Sequence, residues 1–114
     1  MILNDLKNYD IDIPKNGKVV IDFYTEWCAP CKIISPVLEQ FRDEGLIKLI
    51  QVDLGEQQEL GNKLNIYAVP TLFFITDGEL LDKDIQIEGQ TIVKKGVMVG
   101  AAGEIILKKI IDQM

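Results

Sequence analysis

Two cysteines, Cys28 and Cys31, stand three positions apart where one hydrophobic period gives way to another, and that junction constrains the chain more than any other feature. Before it, Val19-Val20-Ile21-Asp22-Phe23-Tyr24 follows Asn16-Gly17 as an apolar run rich in β-branched and aromatic residues, the pattern of a buried strand. After it, Ile33, Ile34, Val37, Leu38 and Phe41 recur at helical spacing, and Gly45 supplies a C-terminal stop. The cysteines therefore lie at a turn, Thr25 to Pro30, that a strand feeds and a helix leaves. Pro30 suits a first helical turn, where no partner for its missing N–H is lost. Asp22 breaks the apolar run. It is either a half-exposed strand residue or a buried carboxyl, and its neighbours argue for burial, which raises a carboxyl pKa and makes the group a usable proton acceptor.

The remaining pattern extends this unit. Leu46 to Asp53 reads as a second strand, Glu56 to Leu64 as a short helix, and Thr71 to Thr76 as a strand opening just after Pro70. The resulting β-α-β-α-β alternation predicts an α/β fold. Asp77-Gly78 is a hairpin signal leading into Glu79 to Ile87 and, after Gly89, into Thr91 to Val99, so these last strands are expected to be antiparallel. A closing helix from about Gly103 places Ile106, Ile110, Ile111 and Met114 on one stripe and spaces Glu104 and Lys108 for a surface pair. Residues up to Lys18 read mostly as loop. Without repeats or linkers, 114 residues are expected to form one domain over 1–114.

Composition excludes several kinds of work. With 12 basic and 18 acidic residues the net charge is −6, and no basic run could track a phosphate backbone, so nucleic acid is not an expected partner. No apolar run approaches the roughly 20 residues that span a bilayer, and Met1 to Tyr9 lacks the apolar middle of a signal peptide, so no membrane partner and a cytoplasmic location are expected. The chain has no histidine, which removes Cys-His nucleophile pairs and Ser-His-Asp triads. Two thiolates alone do not complete a tetrahedral zinc site, and no metal is expected. A disulfide closing so short a loop would also be a poor structural staple. What the pair suits is redox chemistry: free N–H groups at a helix N-terminus favour a thiolate at Cys28, while Cys31, one turn in and more buried, suits the resolving role.

At this point the chain resembles the thioredoxin family. Trp27-Cys28-Ala29-Pro30-Cys31-Lys32 is similar to that family's active-site sequence and Val69-Pro70-Thr71 to its cis-proline loop, with Asp22, Pro36 and Val99-Gly100 at matching positions. The resemblance runs from about Val19 to the final helix. It implies a thioredoxin fold, a central mixed sheet flanked by helices on both faces, here with an extended C-terminal β-hairpin. It further implies a protein-disulfide reductase in which Cys28 attacks, Cys31 resolves and Asp22 accepts a proton. Trp27, Ala29, Pro30, Lys32, Val69, Pro70, Gly100 and Ala101 would then form the substrate-docking surface. The implied partners are disulfide-containing client proteins and a thioredoxin reductase-type electron donor. No cofactor beyond the Cys28-Cys31 redox disulfide is implied.

Three departures accompany the likeness. Ala29 stands where the family usually has glycine, and Gln51 where many members place a lysine near the buried aspartate. Leu81 to Gly96 expands a short turn by about a dozen residues, longer than ordinary hairpin loops. That segment is either an extended hairpin with Glu88-Gly89-Gln90 near its tip or a surface for a dedicated partner. Two other functions remain open at this level: an oxidase or isomerase of the same fold, and a non-enzymatic interaction module.

Overall fold

The computed structural model describes residues 2–114, with side chains from Asp5 onward. In chain order the elements are α1 (Ile2–Lys7), β1 (Lys18–Tyr24), α2 (Ala29–Asp43), β2 (Lys48–Asp53), α3 (Gln58–Lys63), β3 (Thr71–Thr76), β4 (Glu79–Leu80), β5 (Ile85–Ile87), β6 (Gln90–Val93), β7 (Val97–Val99) and α4 (Glu104–Asp112). The sequence reading of the N-terminal segment as mostly loop is corrected by α1, a helix of six residues in which Leu6 is fully buried. Scattered apolar residues around a single buried anchor carry too little periodicity to announce so short a helix.

β1 is central. It pairs in parallel with β2, from Val19 opposite Lys48 to Tyr24 opposite Asp53, and antiparallel with β3, from Lys18 opposite Thr76 to Phe23 opposite Thr71. Parallel neighbours need a long crossover, which α2 provides. The strand period of two then divides the core. Val20, Leu72 and Phe74 face α2 and α4, joining Ile34, Leu38, Phe41, Leu107, Ile110 and Ile111. Val19, Ile21, Phe23, Phe73 and Ile75 face the other way, joining Leu6 of α1 and Leu60 of α3. The mixed sheet is thus covered by helices on both faces. Phe23 and Phe73 meet edge to face across adjacent strands, with ring centroids 4.8 Å apart.

The outer neighbour of β3 comes in two pieces. β4 covers Ile75 and Thr76, β7 covers Thr71 to Phe73, and the backbone of Phe74 bonds both ends of the gap: it accepts from Leu81 N–H at 2.9 Å and donates to Gly96 O at 2.8 Å. The chain between those ends leaves the sheet as the β5–β6 hairpin. The expected continuous strands 79–87 and 91–99 are therefore each divided, because alternation in sequence does not show where a strand changes sheets. Three two-residue turns carry these reversals, Asp77-Gly78, Glu88-Gly89 and Lys95-Gly96, each with both residues at positive φ as the right-handed twist of hairpins favours. At Gly96 (φ +82°) a Cβ would lie 2.6 Å from Leu81 O, so glycine is required there by contact as well as by conformation.

Ile85, Ile87 and Val93 of the hairpin are buried in the α2/α4 core, and β5 packs on α4; Gln86, Glu88, Gln90 and Thr91 face outward. In α4 itself, Leu107, Ile110 and Ile111 are the buried stripe, with Ile106 and Met114 only partly covered. The surface pair forms one turn later than expected, Lys108 Nζ to Asp112 Oδ1 at 2.8 Å, instead of Lys108 to Glu104. Strand 46–53 begins at Lys48 and helix 56–64 is the shorter Gln58–Lys63, both trimmed by turn hydrogen bonds at their starts.

Candidate active site

β1 delivers the chain to the cysteines. Its last residue accepts from Leu54 N–H at 2.8 Å, holding the loop after β2 beside the turn, and Cys28 N–H then bonds Thr25 O at 3.3 Å to close that turn. Cys28 is the N-cap of α2 (φ −88°, ψ 106°), and Ala29-Pro30 open the helix. The sulfur of Cys28 accepts from Cys31 N–H at 3.1 Å, so a backbone donor of the first helical turn points at it, as a helix N-terminus does for any anionic group. Cys28 and Cys31 are joined as a disulfide with Cα atoms 5.3 Å apart. Cys31 is the deeper of the two, 2% exposed against 8%.

Antiparallel pairing brings the start of β3 to the same end of the sheet as the end of β1. There the Val69–Pro70 peptide bond is cis, and Gly100 N–H donates to Pro70 O at 2.8 Å, so the residues after β7 join the same end. Gly100 has φ +101°, open to glycine at little cost. Trp27 is 78% exposed and its indole lies over Gly55, on the far flank from Pro70's strand. Ala29, Pro30, Lys32 and Ala101 are exposed, Val69 and Gly100 half-buried, and Pro70 buried. The sheet thus gathers Cys28, Cys31, Pro70 and Gly100 at one end, whereas Lys32 belongs to a separate cavity behind Cys31.

That cavity, about 400 Å³, is lined by Tyr24, Thr25, Glu26, Cys31, Lys32, Ser35, Pro36, Glu39 and Gln51. Asp22 lies beneath it, fully buried. The Ser35 hydroxyl donates to Asp22 Oδ2 at 2.6 Å, and Oδ1 has no protein partner among the described residues. Burial pushes the Asp22 carboxyl above its ordinary value; the Ser35 hydroxyl and the nearby Gln51 amide hold it partly down, and the charge of Glu39 adds to the rise. Gln51 itself donates to Glu39 Oε2 at 3.1 Å, so its amide dipole is divided between two carboxylates. Next to Trp27, the carboxylates of Glu26, Asp53 and Glu56 come within 4.8 Å of one another. Their field, after burial itself, keeps the Tyr24 phenol protonated above its usual range.

Ser35 and Glu39 escaped the sequence reading. Ser35 follows Cys31 by four residues on one helix, a spacing that puts the two on one face and could have pointed to it.

The sequence model of the thioredoxin family matches residues 1–97. This chain belongs to the thioredoxin family. The thioredoxin of Mycoplasmoides gallisepticum is 39% identical over 71 residues, 61% of this chain and 71% of that protein, and the thioredoxin of Bacillus subtilis is 38% identical over 71 residues, 60% and 68%. Among solved structures, a mutant thioredoxin from Halobacterium salinarum superposes with a TM-score of 0.66 at 30% identity, covering 86% of this chain and 74% of that one. Mitochondrial thioredoxin 3 of Saccharomyces cerevisiae, in its oxidised form, gives 0.66 at 27% identity over 98% and 90%. The Cys28–Cys31 disulfide makes this thioredoxin-family chain a thiol-disulfide oxidoreductase of the protein-disulfide reductase kind, acting through a redox-active disulfide on disulfide-containing clients and renewed by a reductase donor. No described helix is long and apolar enough to cross a membrane.

Proposed function

We propose that residues 1–114 act as one thioredoxin-like domain that reduces protein disulfides with Cys28 as nucleophile and Cys31 as resolving thiol. The observation that carries this assignment is the sulfur of Cys28 at the N-cap of α2, taking the Cys31 N–H at 3.1 Å while Cys31 is the deeper sulfur. In the dithiol form that donor and the helix terminus favour a thiolate on Cys28. Cys28 thiolate attacks one sulfur of a client disulfide, forming a mixed disulfide and releasing the client's other sulfur as a thiolate that solvent protonates. Cys31 then loses its proton toward Asp22, attacks Cys28 Sγ, and expels the client's remaining sulfur as a thiolate, which solvent protonates. Two electrons pass to the client, and the domain is left with the disulfide seen here.

Trp27, Ala29, Pro30, Val69, Pro70, Gly100 and Ala101 form the rim a client segment would lie on, with the backbone of Val69 offering short strand-like pairing. Lys32 lies on the cavity side of the site and would meet a client's flank. A thioredoxin reductase-type protein of the cytoplasm would return the pair to the dithiol, with no bound cofactor taking part. The decisive test is the equilibrium potential of the Cys28-Cys31 pair in defined thiol buffers, with free thiols trapped and counted by mass. A reversible couple at or below the cytosolic glutathione poise of roughly −220 to −320 mV is expected. A markedly more oxidising couple would reassign the protein as an oxidase or isomerase.

A further inference from the structure

Asp22 is sealed from the surface and does not line the cavity that reaches Cys31. Ser35 touches both. Its hydroxyl donates to Asp22 Oδ2 at 2.6 Å, and its side chain lines the same cavity as Cys31, one helical turn away on α2. A volume of about 400 Å³ has room for several waters at ~30 Å³ each, and its walls offer them polar partners in Ser35, Glu39, Gln51 and Thr25. We propose that Ser35 is the positioning residue of the resolving step, aiming the Asp22 carboxylate and carrying the proton that Cys31 gives up from the cavity to Asp22 Oδ2.

The step balances without an added reagent. As Cys31 becomes a thiolate, its proton passes to cavity water and from there to Ser35 Oγ, while the hydroxyl hydrogen already shared with Asp22 moves onto Oδ2. The Cys31–Cys28 bond then forms as the Cys28–client bond breaks. In the reverse direction Asp22 returns a proton by the same route. Ser35 leaves the step as it entered, with one hydrogen on its oxygen after the carboxyl is discharged to solvent through the cavity.

Ser35, Gln51 and Glu39 act on the charge of Asp22 beside its burial, and the other groups near it lie on the elements packed around it. Ser35 and Glu39 face it from α2 and Gln51 from β2; Leu72 lies opposite it on β3, and Tyr24 and Glu26 follow on its own side of the cysteine turn. Lys32, in the cavity wall, is the cation of this set. A hydroxyl donating to the ionised carboxylate favours that form. Removing it makes Asp22 release its proton at higher pH and leaves Cys31 without a relay.

The inference rests on the proposed reductase chemistry, and the two can fail separately. Mixed disulfide formed between the dithiol protein and a chromogenic disulfide would be followed through its resolution in a single turnover from pH 5 to 9, in wild type, Ser35→Ala, Ser35→Thr, Asp22→Asn and the double variant Asp22→Asn/Ser35→Ala. Ser35→Ala is expected to move the midpoint of the resolution profile up by about one pH unit and to slow resolution about tenfold near pH 6. Ser35→Thr, which keeps the hydroxyl, is expected to restore the wild-type profile, and Ser35→Ala to add nothing in the Asp22→Asn background. Wild type in mixtures of light and heavy water is expected to show more than one proton in motion during resolution. A Ser35→Ala profile superposed on wild type, an equal loss with and without Asp22, or a single-proton isotope dependence would overturn the relay. A wild type lacking any reversible Cys28-Cys31 couple would overturn the reductase reading instead.

Discussion

At the scale of residues, the two sulfurs differ by their depth and their donors, and substitution should separate them. Cys28→Ser is expected to lose disulfide reduction by at least about a hundredfold, since it removes the attacking atom. Cys31→Ser keeps the attack but not the release, and should accumulate a client-linked species readable by mass under non-reducing conditions. Asp22 makes a second prediction, this time for stability. Its folded-state pKa is raised above the ordinary 3.8, so between those two values the folded chain holds a proton that the unfolded chain has released. The associated stability is complete below the ordinary value and is lost as pH rises through the folded one. Asp22→Asn should flatten that decline, leaving the variant more resistant to urea than wild type at pH 8 and nearly equal to it at pH 4. Equal midpoints at pH 8 would show that the burial of this carboxylate carries no cost. Asp22 was legible in the sequence because a charged residue among five apolar ones has few reasons to be there; Ser35 was not, because a serine in a helix carries no such contrast.

Among the elements, strands and helices of regular period were the readable part. β1, α2 and β3 lie within a residue or two of the pattern's edges or start where the cysteine turn ends, since each buries one clear face. The hairpin was legible in its tip, where Glu88-Gly89 needs two left-handed residues, but not in its direction, because a strand's alternation is the same whether it stays in a sheet or leaves it. The buried face of β5 and β6 favours a structural role over partner recognition. Ile85→Ala is accordingly expected to cost about 2 to 4 kcal/mol in denaturant unfolding while the thiol exchange rate at Cys28 stays at the wild-type value. A slowed exchange with unchanged stability would assign this hairpin to recognition. A pair of glycines sharpens the same point. Gly89 and Gly96 have nearly the same positive φ, but a Cβ has open space at the first and Leu81 O at the second. Alanine should cost about 1 kcal/mol at Gly89 from conformation alone and about 3 kcal/mol at Gly96.

For the whole molecule, two cores lie on opposite faces of one sheet, and the chemistry sits where that sheet ends. The surface around it is acidic: net charge is −6, and Glu26, Asp53 and Glu56 crowd the flank beneath Trp27. Such a field steers encounter more than it fixes affinity. A basic disulfide peptide should be reduced more than about threefold faster than an acidic one of equal potential at low salt, and the ratio should fall toward one at about 0.5 M salt. A ratio indifferent to salt would place the selectivity in the apolar rim. The divided outer strand has another meaning at this scale. Because Leu81 and Gly96 meet on the two backbone atoms of a single residue, Phe74, the sheet registers only that the chain departs and comes back, never how far it travels. The fold therefore contains a splice point: a different peptide could be exchanged between those two positions without moving the cysteines, provided it carries its own apolar lining for α4.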